Sequence, residues 1–204
     1  MAKVTKKPVR QKDRAQTEAL LLNAAEKIFS QVGYECATTR MIAQEAGINI
    51  SLINRYFEGK YGLLFAVVLT KTKESRNTPD YPVRATFLDE ITAYGEFIIA
   101  RYFDDLNLFR ICVGQFLVDT TFLKKFKEVV SNPDIDPEAK SRLEGLVKKE
   151  KLKLASPISK IVEDMEVQIF SLCILNGVIH GQTQKEILKS FREFIRNYVQ
   201  GAIH

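Results

Sequence analysis

Apolar residues recur every three or four positions along most of this chain, the spacing that gathers them on one face of an α-helix. No segment shows the period of two that a half-buried strand requires. The predicted fold class is therefore all-α. Besides two short helices between residues 38 and 57, the pattern predicts helices at Thr17–Val32, Lys60–Glu74, Phe87–Phe103, Leu106–Val130, Glu138–Leu154, Pro157–Gln182 and Lys185–Ala202.

Proline-containing segments interrupt this pattern. Pro79 and Pro82 prevent the preceding helix from continuing and mark a domain boundary, and Pro133 and Pro137 separate two later helices. We therefore predict a basic disordered arm at residues 1–14, a three-helix domain with a connecting helix at 15–74, and a larger helical domain at 75–204.

The stretch from Thr38 to Lys60 has the spacing of a helix-turn-helix. Ala43 stands where two crossing helices touch, Gly47 follows where the turn needs a positive φ, and Ile53 lies six residues further on to fill the gap between the helices. An ordinary helical hairpin in a core uses similar spacings. The polar outer face, which contains few acids, favours DNA binding instead.

Short polar side chains mark where the two helices of this motif begin. Thr39 is a candidate cap of the first helix and Asn49 of the second, because each side chain can accept a hydrogen bond from the opening turn. The predicted recognition helix is Asn49–Tyr56.

Positive charge is concentrated in the same part of the chain. Residues 1–74 contain 12 Lys and Arg against 7 Asp and Glu, net +5, whereas residues 75–204 contain 18 of each sign. A localised excess of this kind suits a polyanion partner. Within the arm, Lys3, Lys6, Lys7, Arg10, Lys12 and Arg14 stand against Asp13 alone, and we expect these cations to contact phosphates.

Other functional classes lack their sequence signals. The three cysteines, Cys36, Cys112 and Cys173, have no metal-ligand spacing, and the longest apolar run, Val167–Ile179, is too short to span a bilayer. No nucleophile pattern, carboxylate pair or phosphate loop is present. We therefore expect a cytoplasmic protein that is not an enzyme, with no cofactor, no metal and no membrane partner.

The segment from about Glu18 to Leu64 resembles the DNA-binding domain of TetR-type transcriptional regulators. The resemblance rests on fixed-spacing matches at Gly33–Tyr34, Thr38–Thr39, Ile42–Ala43, Ala46–Gly47, Tyr56–Phe57 and Lys60. It implies a homodimer held by a four-helix bundle, a double-stranded DNA operator, a ligand cavity in the C-terminal domain, and repression that a ligand relieves. Ile50, Ser51 and Asn54 depart from the usual recognition helix, so the operator cannot be copied from a relative.

Nine residues form the predicted DNA-binding set. We expect Arg40 and Lys60 to bind phosphates, Arg55 to bind phosphate or guanine, Asn54 to bind adenine, and Tyr56 to offer its hydroxyl to a phosphate. Ile50 either meets a thymine methyl or is tucked into the protein. The full set is Thr39, Arg40, Asn49, Ile50, Ser51, Asn54, Arg55, Tyr56 and Lys60.

The larger domain offers two further predicted surfaces. Its last two helices are apolar on more faces than one domain can cover, which predicts a dimer interface at Phe170, Ile174, Phe191, Phe194 and Tyr198. A concentration of phenylalanines predicts an apolar or aromatic effector at Phe97, Arg101, Phe109, Cys112, Phe116 and Asn176. The alternative is a dimer controlled by a protein partner or by no ligand. His180 is more readily explained as a structural histidine than as a sensor.

Overall fold

The computed structural model describes residues 8–75, 79–130 and 135–203, and side chains within 14–72, 79–128 and 135–203. Ten α-helices and one π-helix make up the described chain, which confirms the predicted all-α class. The α-helices are α1 Pro8–Cys36, α2 Thr39–Ala46, α3 Ser51–Phe57, α4 Lys60–Ser75, α5 Phe87–Asp104, α6 Leu106–Val118, α7 Thr120–Val130, α8 Pro137–Glu150, α9 Ile158–Ser171 and α10 Gln184–Ala202, with the π-helix Leu172–Ile179 between the last two.

The helices form two compact units. Unit 1 contains the described residues up to Thr72 together with Asn107–Val129, and unit 2 contains Lys73–Leu106 and the described residues from Val130 onward. The predicted C-terminal domain at 75–204 therefore differs from unit 2, because most of α6 and most of α7 lie in unit 1.

Unit 1 has a core to which helices distant in sequence contribute. Leu21, Ile42, Ile53 and Leu64 are fully buried there, and Phe122 of α7 is fully buried in the same cluster. The Phe122 ring makes edge contacts with Tyr61 and Phe65, at centroid distances of 5.8 and 5.4 Å. These contacts explain why α7 belongs to this unit.

The predicted single helix Leu106–Val130 is wrong, since Asp119 separates α6 from α7. The Asp119 carboxylate accepts hydrogen bonds from the amides of Thr121 and Phe122, both at 2.9 Å. A side chain that bonds the opening amides in this way starts a new helix.

Unit 2 is built around α5, which packs against α8, α9 and α10. Phe191 of α10 is fully buried, and its ring lies so close to Gly95 that an added Cβ there would stand 2.0 Å from it. Helix α8 ends at Glu150 and not at the predicted Leu154, which forms an isolated antiparallel bridge with Ile203.

The predicted arm at residues 1–14 is described only in part. Residues 1–7 lie outside the described residues, as do the side chains of Arg10 and Lys12, whereas the backbone of residues 8–14 is the first part of α1. No single helix in the described chain is long and apolar enough to cross a membrane. The two helices Leu106–Val118 and Thr120–Glu128 reach the length and apolar composition of a membrane span only in combination, and a bend of 110° separates them.

Candidate nucleic-acid interface

The turn between α2 and α3 is held by the residues that the sequence placed there. Gly47 has φ +64°, a left-handed conformation that glycine adopts without strain, and its amide bonds the Gln44 carbonyl at 3.2 Å. Ile42, Ala43 and Ile53 are buried beneath the turn. The seam between the two helices therefore forms as predicted.

Of the two predicted helix caps, the one at Asn49 makes its expected bond, whereas the one at Thr39 is displaced by one residue. Thr38, not Thr39, caps α2, because the Thr38 hydroxyl accepts a hydrogen bond from the Met41 amide at 3.2 Å. Asn49 accepts a bond from the Ser51 amide at 2.9 Å, but it lies outside α3, which runs from Ser51 to Phe57 and not over Asn49–Tyr56.

The outer face of this motif exposes most of the predicted DNA-binding residues. Ile50 is 42% exposed, which favours contact with a thymine methyl over burial in the protein. Among the described residues, neither the Arg40 nor the Arg55 guanidinium has an ion-pair or hydrogen-bond partner. The exposed members are Arg40, Asn49, Ile50, Ser51, Asn54 and Arg55, while Thr39, Tyr56 and Lys60 are half-buried. Six side chains are thus presented to a partner.

Lys60 has intramolecular partners. Its ammonium group donates to the carbonyls of Tyr34 and Glu35, at 2.9 and 3.4 Å, and lies 4.3 Å from the centroid of the Tyr34 ring. A cation next to terminal carbonyls also stabilises the C-terminal end of a helix. Lys60 therefore holds the end of α1 against the start of α4, and its phosphate contact stays a prediction.

Arg14 and Tyr56 form a second contact across this unit. The Arg14 guanidinium lies 5.0 Å from the centroid of the Tyr56 ring and donates to Glu18 at 2.7 Å. Within the predicted basic arm at residues 1–14, Arg14 is the cation whose side chain the structure describes. This contact brings a cation of α1 beside α3.

The division into units sharpens the charge asymmetry. Counted over the full sequence, residues 1–72 and 107–129 carry 15 Lys and Arg against 8 Asp and Glu, net +7, whereas residues 73–106 and 130–204 carry 15 against 17, net −2. Helix α7 contributes Lys124, Lys125 and Lys127 to the positive unit, and all three are exposed. The unit that holds the helix-turn-helix is thus the one whose charge attracts a polyanion.

A family profile described as "Bacterial regulatory proteins, tetR family" matches residues 21–67, which span α2, α3 and their flanking helices. Residues 21–67 thus match the DNA-binding domain of the tetR family. The resemblance stated from its motifs is confirmed.

Curated relatives match over the same part of the chain. HTH-type transcriptional regulator BetI from Vibrio atlanticus is 32% identical over 65 residues, and BetI from Vibrio vulnificus is 43% identical over 44 residues. The matches span 32% and 22%, respectively, of both this chain and the relative. The matched part therefore spans about a third or less of the length of the curated relatives.

Solved structures show the same fold over nearly the whole chain. A protein named as a TetR-family transcriptional regulator from Mesorhizobium loti has a TM-score of 0.69 at 12% identity, covering 94% of this chain and 98% of that one. A transcriptional regulator from Saccharomonospora viridis, solved in complex with choline, has a TM-score of 0.68 at 12% identity, covering 93% and 99%.

The predicted ligand residues divide between the two units. Phe97, Arg101 and Asn176 belong to unit 2, where the Arg101 guanidinium lies 4.8 Å from the centroid of the Phe97 ring. Phe109, Cys112 and Phe116 belong to unit 1, and the last two pack against its core. An open depression on α7, lined by Thr120, Leu123, Lys124, Lys127 and Glu128, contains none of the six.

Sequence reasoning missed one polar group near Asn176. The side-chain oxygen of Gln182 is buried with no hydrogen-bond partner among the described residues. The backbone amide of Gln182 donates to the backbone carbonyl of Asn176 at 2.8 Å. Nearby, Phe103 lies 3.3 Å from the position of a Cβ on Gly177. Gln182 lies between the π-helix and α10, outside both helices, so the helical spacing of apolar residues gives no signal for it.

The predicted dimer residues are not equally available. Phe191 is fully buried against Gly95, so its inclusion in an interface is wrong. Phe170 is 41% exposed and Ile174 is half-buried, and the half-buried rings of Phe194 and Tyr198 stack with centroids 5.5 Å apart.

The polar end of Tyr198 is already bonded within the chain. Its hydroxyl donates to Asp164 at 2.6 Å, and burial, followed by this bond, raises the pKa of Tyr198 to about 12. Neighbouring apolar side chains on α9 and the π-helix are exposed, among them Val167, Leu175 and Ile179. An apolar surface therefore remains around Phe170.

Proposed function

We propose that this protein is a transcriptional regulator whose unit 1 binds a double-stranded DNA operator, with α3 as the recognition helix in the major groove. The observation that carries the proposal is the exposed, unpaired Arg40 and Arg55 on a helix-turn-helix in a unit of net charge +7. Asn54 and Arg55 are the side chains that read bases, and Arg40 binds phosphate. Ile50 meets a thymine methyl. Cytoplasmic location belongs to the same proposal.

The decisive experiment is selection of DNA from a random pool by the purified protein, followed by affinity measurements on the selected site. We expect Arg55→Ala to weaken binding and to relax the preference at one base pair, because a bidentate contact contributes about 1–3 kcal/mol of discrimination. Arg196→Ala is the matched control, since Arg196 is an exposed arginine of unit 2. Equal losses in the two variants would contradict the assignment of α3.

Homodimerisation is the second part of the proposal, with Phe170 and its exposed apolar neighbours as the interface. Exposed apolar patches that lie together commonly mark interaction sites. Two copies of α3 related by a two-fold axis would read a palindrome with half-sites about 34–36 Å apart.

Ligand control is the third part. We propose an apolar or aromatic effector that binds in unit 2 near Asn176, supported by the buried, unpaired oxygen of Gln182. The effector releases DNA only if it prefers a conformation that binds DNA poorly, and DNA must then weaken the effector by the same factor. A thermal-shift screen of aromatic and lipophilic compounds, with choline included, tests this part.

The alternative is a TetR-family dimer that answers to a protein partner or to no ligand. It gains support if compounds that raise the melting temperature leave DNA affinity unchanged at saturation. A Gln182→Leu variant separates ligand control from the alternative. If the variant loses the melting-temperature shift with a compound that also releases DNA from the wild type, ligand control through Gln182 is supported.

A further inference from the structure

One of the three exposed lysines of α7 lies beside the start of α4. The Lys125 ammonium group is 5.4 Å from the centroid of the Tyr61 ring, and Tyr61 is the second residue of α4, directly after Lys60. Phe122 of α7 is fully buried and makes an edge contact with the same ring, with centroids 5.8 Å apart. Because this contact fixes α7 in the core of unit 1, Lys125 has a defined place next to α4.

Two cations of the predicted DNA-binding set lie in the same region of unit 1. Lys60 donates to the carbonyl of Glu35 at 3.4 Å, near the end of α1. Arg40, in the first turn of α2, follows Glu35 by five residues, a backbone span of at most about 18 Å. Lys125 therefore lies on the part of unit 1 that contains Lys60 and the start of α2.

An aromatic ring, and not a carboxylate, holds the Lys125 side chain. Among the described residues Lys125 forms no ion pair, whereas Lys71 of the same unit pairs with Glu26 at 2.7 Å. The face of an aromatic ring attracts a cation through its quadrupole, and an ammonium group has three N–H donors. Lys125 is therefore held in place while its hydrogen-bond donors stay available to an anion.

The other two lysines of α7 lie on a different side of the helix. Lys124 and Lys127 line the open depression on α7 together with Glu128, and Lys125 does not line it. Successive residues of an α-helix are turned by about 100°, so Lys125 points about 160° away from Lys127. Lys127 therefore supplies a matched control with the same charge on the same helix.

We propose that Lys125 binds a DNA phosphate, so that α7 adds a backbone contact to those of the helix-turn-helix. The contact positions unit 1 on the duplex and reads no base, because phosphates carry no sequence information. Lys125 lies outside the part of the chain that the family profile matches, which ends at residue 67. The proposal rests on the proposed function, since it requires that unit 1 binds DNA.

Three variants separate this contact from a purely structural role. Lys125→Gln removes the charge, Lys125→Arg keeps it, and Lys127→Gln removes one charge on the other side of α7. Both positions are exposed, so we expect every variant to fold with a melting temperature close to that of the wild type. A structural role alone would lower the melting temperature of Lys125→Gln and leave each DNA contact unchanged.

The first measurement is reductive methylation of the wild-type lysines with and without the selected operator, followed by mass spectrometry. We expect DNA to slow the modification of Lys125 at least about fivefold, because an ammonium group bonded to a phosphate has its donors occupied. Lys127 and Lys153, an exposed lysine of unit 2, should be modified at unchanged rates. An unchanged rate at Lys125 would overturn the contact.

The second measurement uses the same operator with one phosphate at a time replaced by an uncharged methylphosphonate. At one position in each half-site, we expect the replacement to weaken binding by the wild type, Lys125→Arg and Lys127→Gln about fivefold. Lys125→Gln should lose less than about twofold there, because two changes that remove the same contact are not additive. If Lys125→Gln keeps the wild-type response at every position, the contact is overturned.

These outcomes distinguish the contact from the proposed function. If the wild type binds the operator and neither measurement involves Lys125, α7 is not part of the interface and the proposed role of the helix-turn-helix stands. If the wild type selects no operator, the proposed function fails. Methylation beside a duplex of mixed sequence at low salt then decides the contact, since phosphate binding needs no particular sequence, and an unprotected Lys125 overturns it.

Discussion

Gly95 lies where α5 and α10 of unit 2 are in close contact. The Phe191 ring occupies the space that any larger residue would need, so Gly95 is required by close approach and not by its backbone angles. Alanine usually stabilises a helix by about 1 kcal/mol relative to glycine. Here steric overlap opposes that gain.

We predict that Gly95→Ala destabilises the protein by about 1–3 kcal/mol, the usual cost of overpacking a core. Denaturant unfolding gives the free energy of unfolding. The control is Gly145→Ala on α8, where an added Cβ meets nothing within 4 Å and we expect stabilisation of up to about 1 kcal/mol. Phe191→Leu combined with Gly95→Ala should restore part of the loss.

Adjacent threonines at the start of α2 have different roles, and this gives a second prediction. Thr38→Ala removes the cap and should cost about 1 kcal/mol of unfolding free energy. Thr39→Ala should leave stability nearly unchanged and weaken DNA binding, because Thr39 belongs to the predicted DNA-binding set. Thermal unfolding and DNA titration of both variants check this assignment, which is contradicted if the two stability losses are equal.

At the level of single residues, local geometry explains what could be predicted from the sequence. Ala43, Gly47 and Ile53 lie within eleven positions, and their roles depend on one turn, so spacing alone indicated them. Phe170 and Phe191 both lie on apolar stripes, yet one is exposed and the other buried against Gly95. The difference in burial between these two rings depends on packing between helices that are distant in sequence. An apolar stripe on one helix does not contain that information.

Among the helices, α9 and the π-helix present the exposed apolar surface on which dimerisation is proposed. We predict that Phe170→Glu yields a monomer that stays folded, because a charge at an apolar interface loses its hydration without gaining a partner. Sedimentation gives the assembly state and circular dichroism the fold. Val83→Glu is the control, since Val83 is also exposed, at 61%, but lies between α4 and α5.

Helix α7 shows a second limit of the sequence. Its apolar residues belong to the predicted helix Leu106–Val130, and the concentration of phenylalanines from Phe87 to Phe126 predicts a ligand cavity. In the structure Phe116 and Phe122 lie with centroids 5.7 Å apart, and Phe122 is buried in the core of unit 1. An aromatic face is apolar whether it meets a ligand or another helix, so the pattern could not distinguish the two.

Charge is divided unequally between the two units of the molecule, and the lysines of α7 belong to the positive unit. We predict that DNA affinity falls steeply with salt, with a slope of about −0.9 for each phosphate neutralised. A triple variant with Gln at Lys124, Lys125 and Lys127 should reduce that slope by about 0.9 for each of these lysines that contacts a phosphate.

The matched control replaces Lys148, Lys151 and Lys153 by Gln. It changes the net charge of the chain equally, but all three exposed lysines lie in unit 2. We expect a nearly unchanged slope. If the two triple variants reduce the slope equally, the effect comes from total charge and α7 makes no particular contribution.

The placement of Phe122 has a consequence for protein engineering. A fragment ending at Ser75 would contain every residue of the helix-turn-helix, yet it would leave Tyr61 and Phe65 without the ring that covers them. The smallest transferable DNA-binding module is therefore discontinuous. A chimera that grafts this specificity onto another regulator must carry residues 107–129 as well, or supply a substitute for α7 from the recipient.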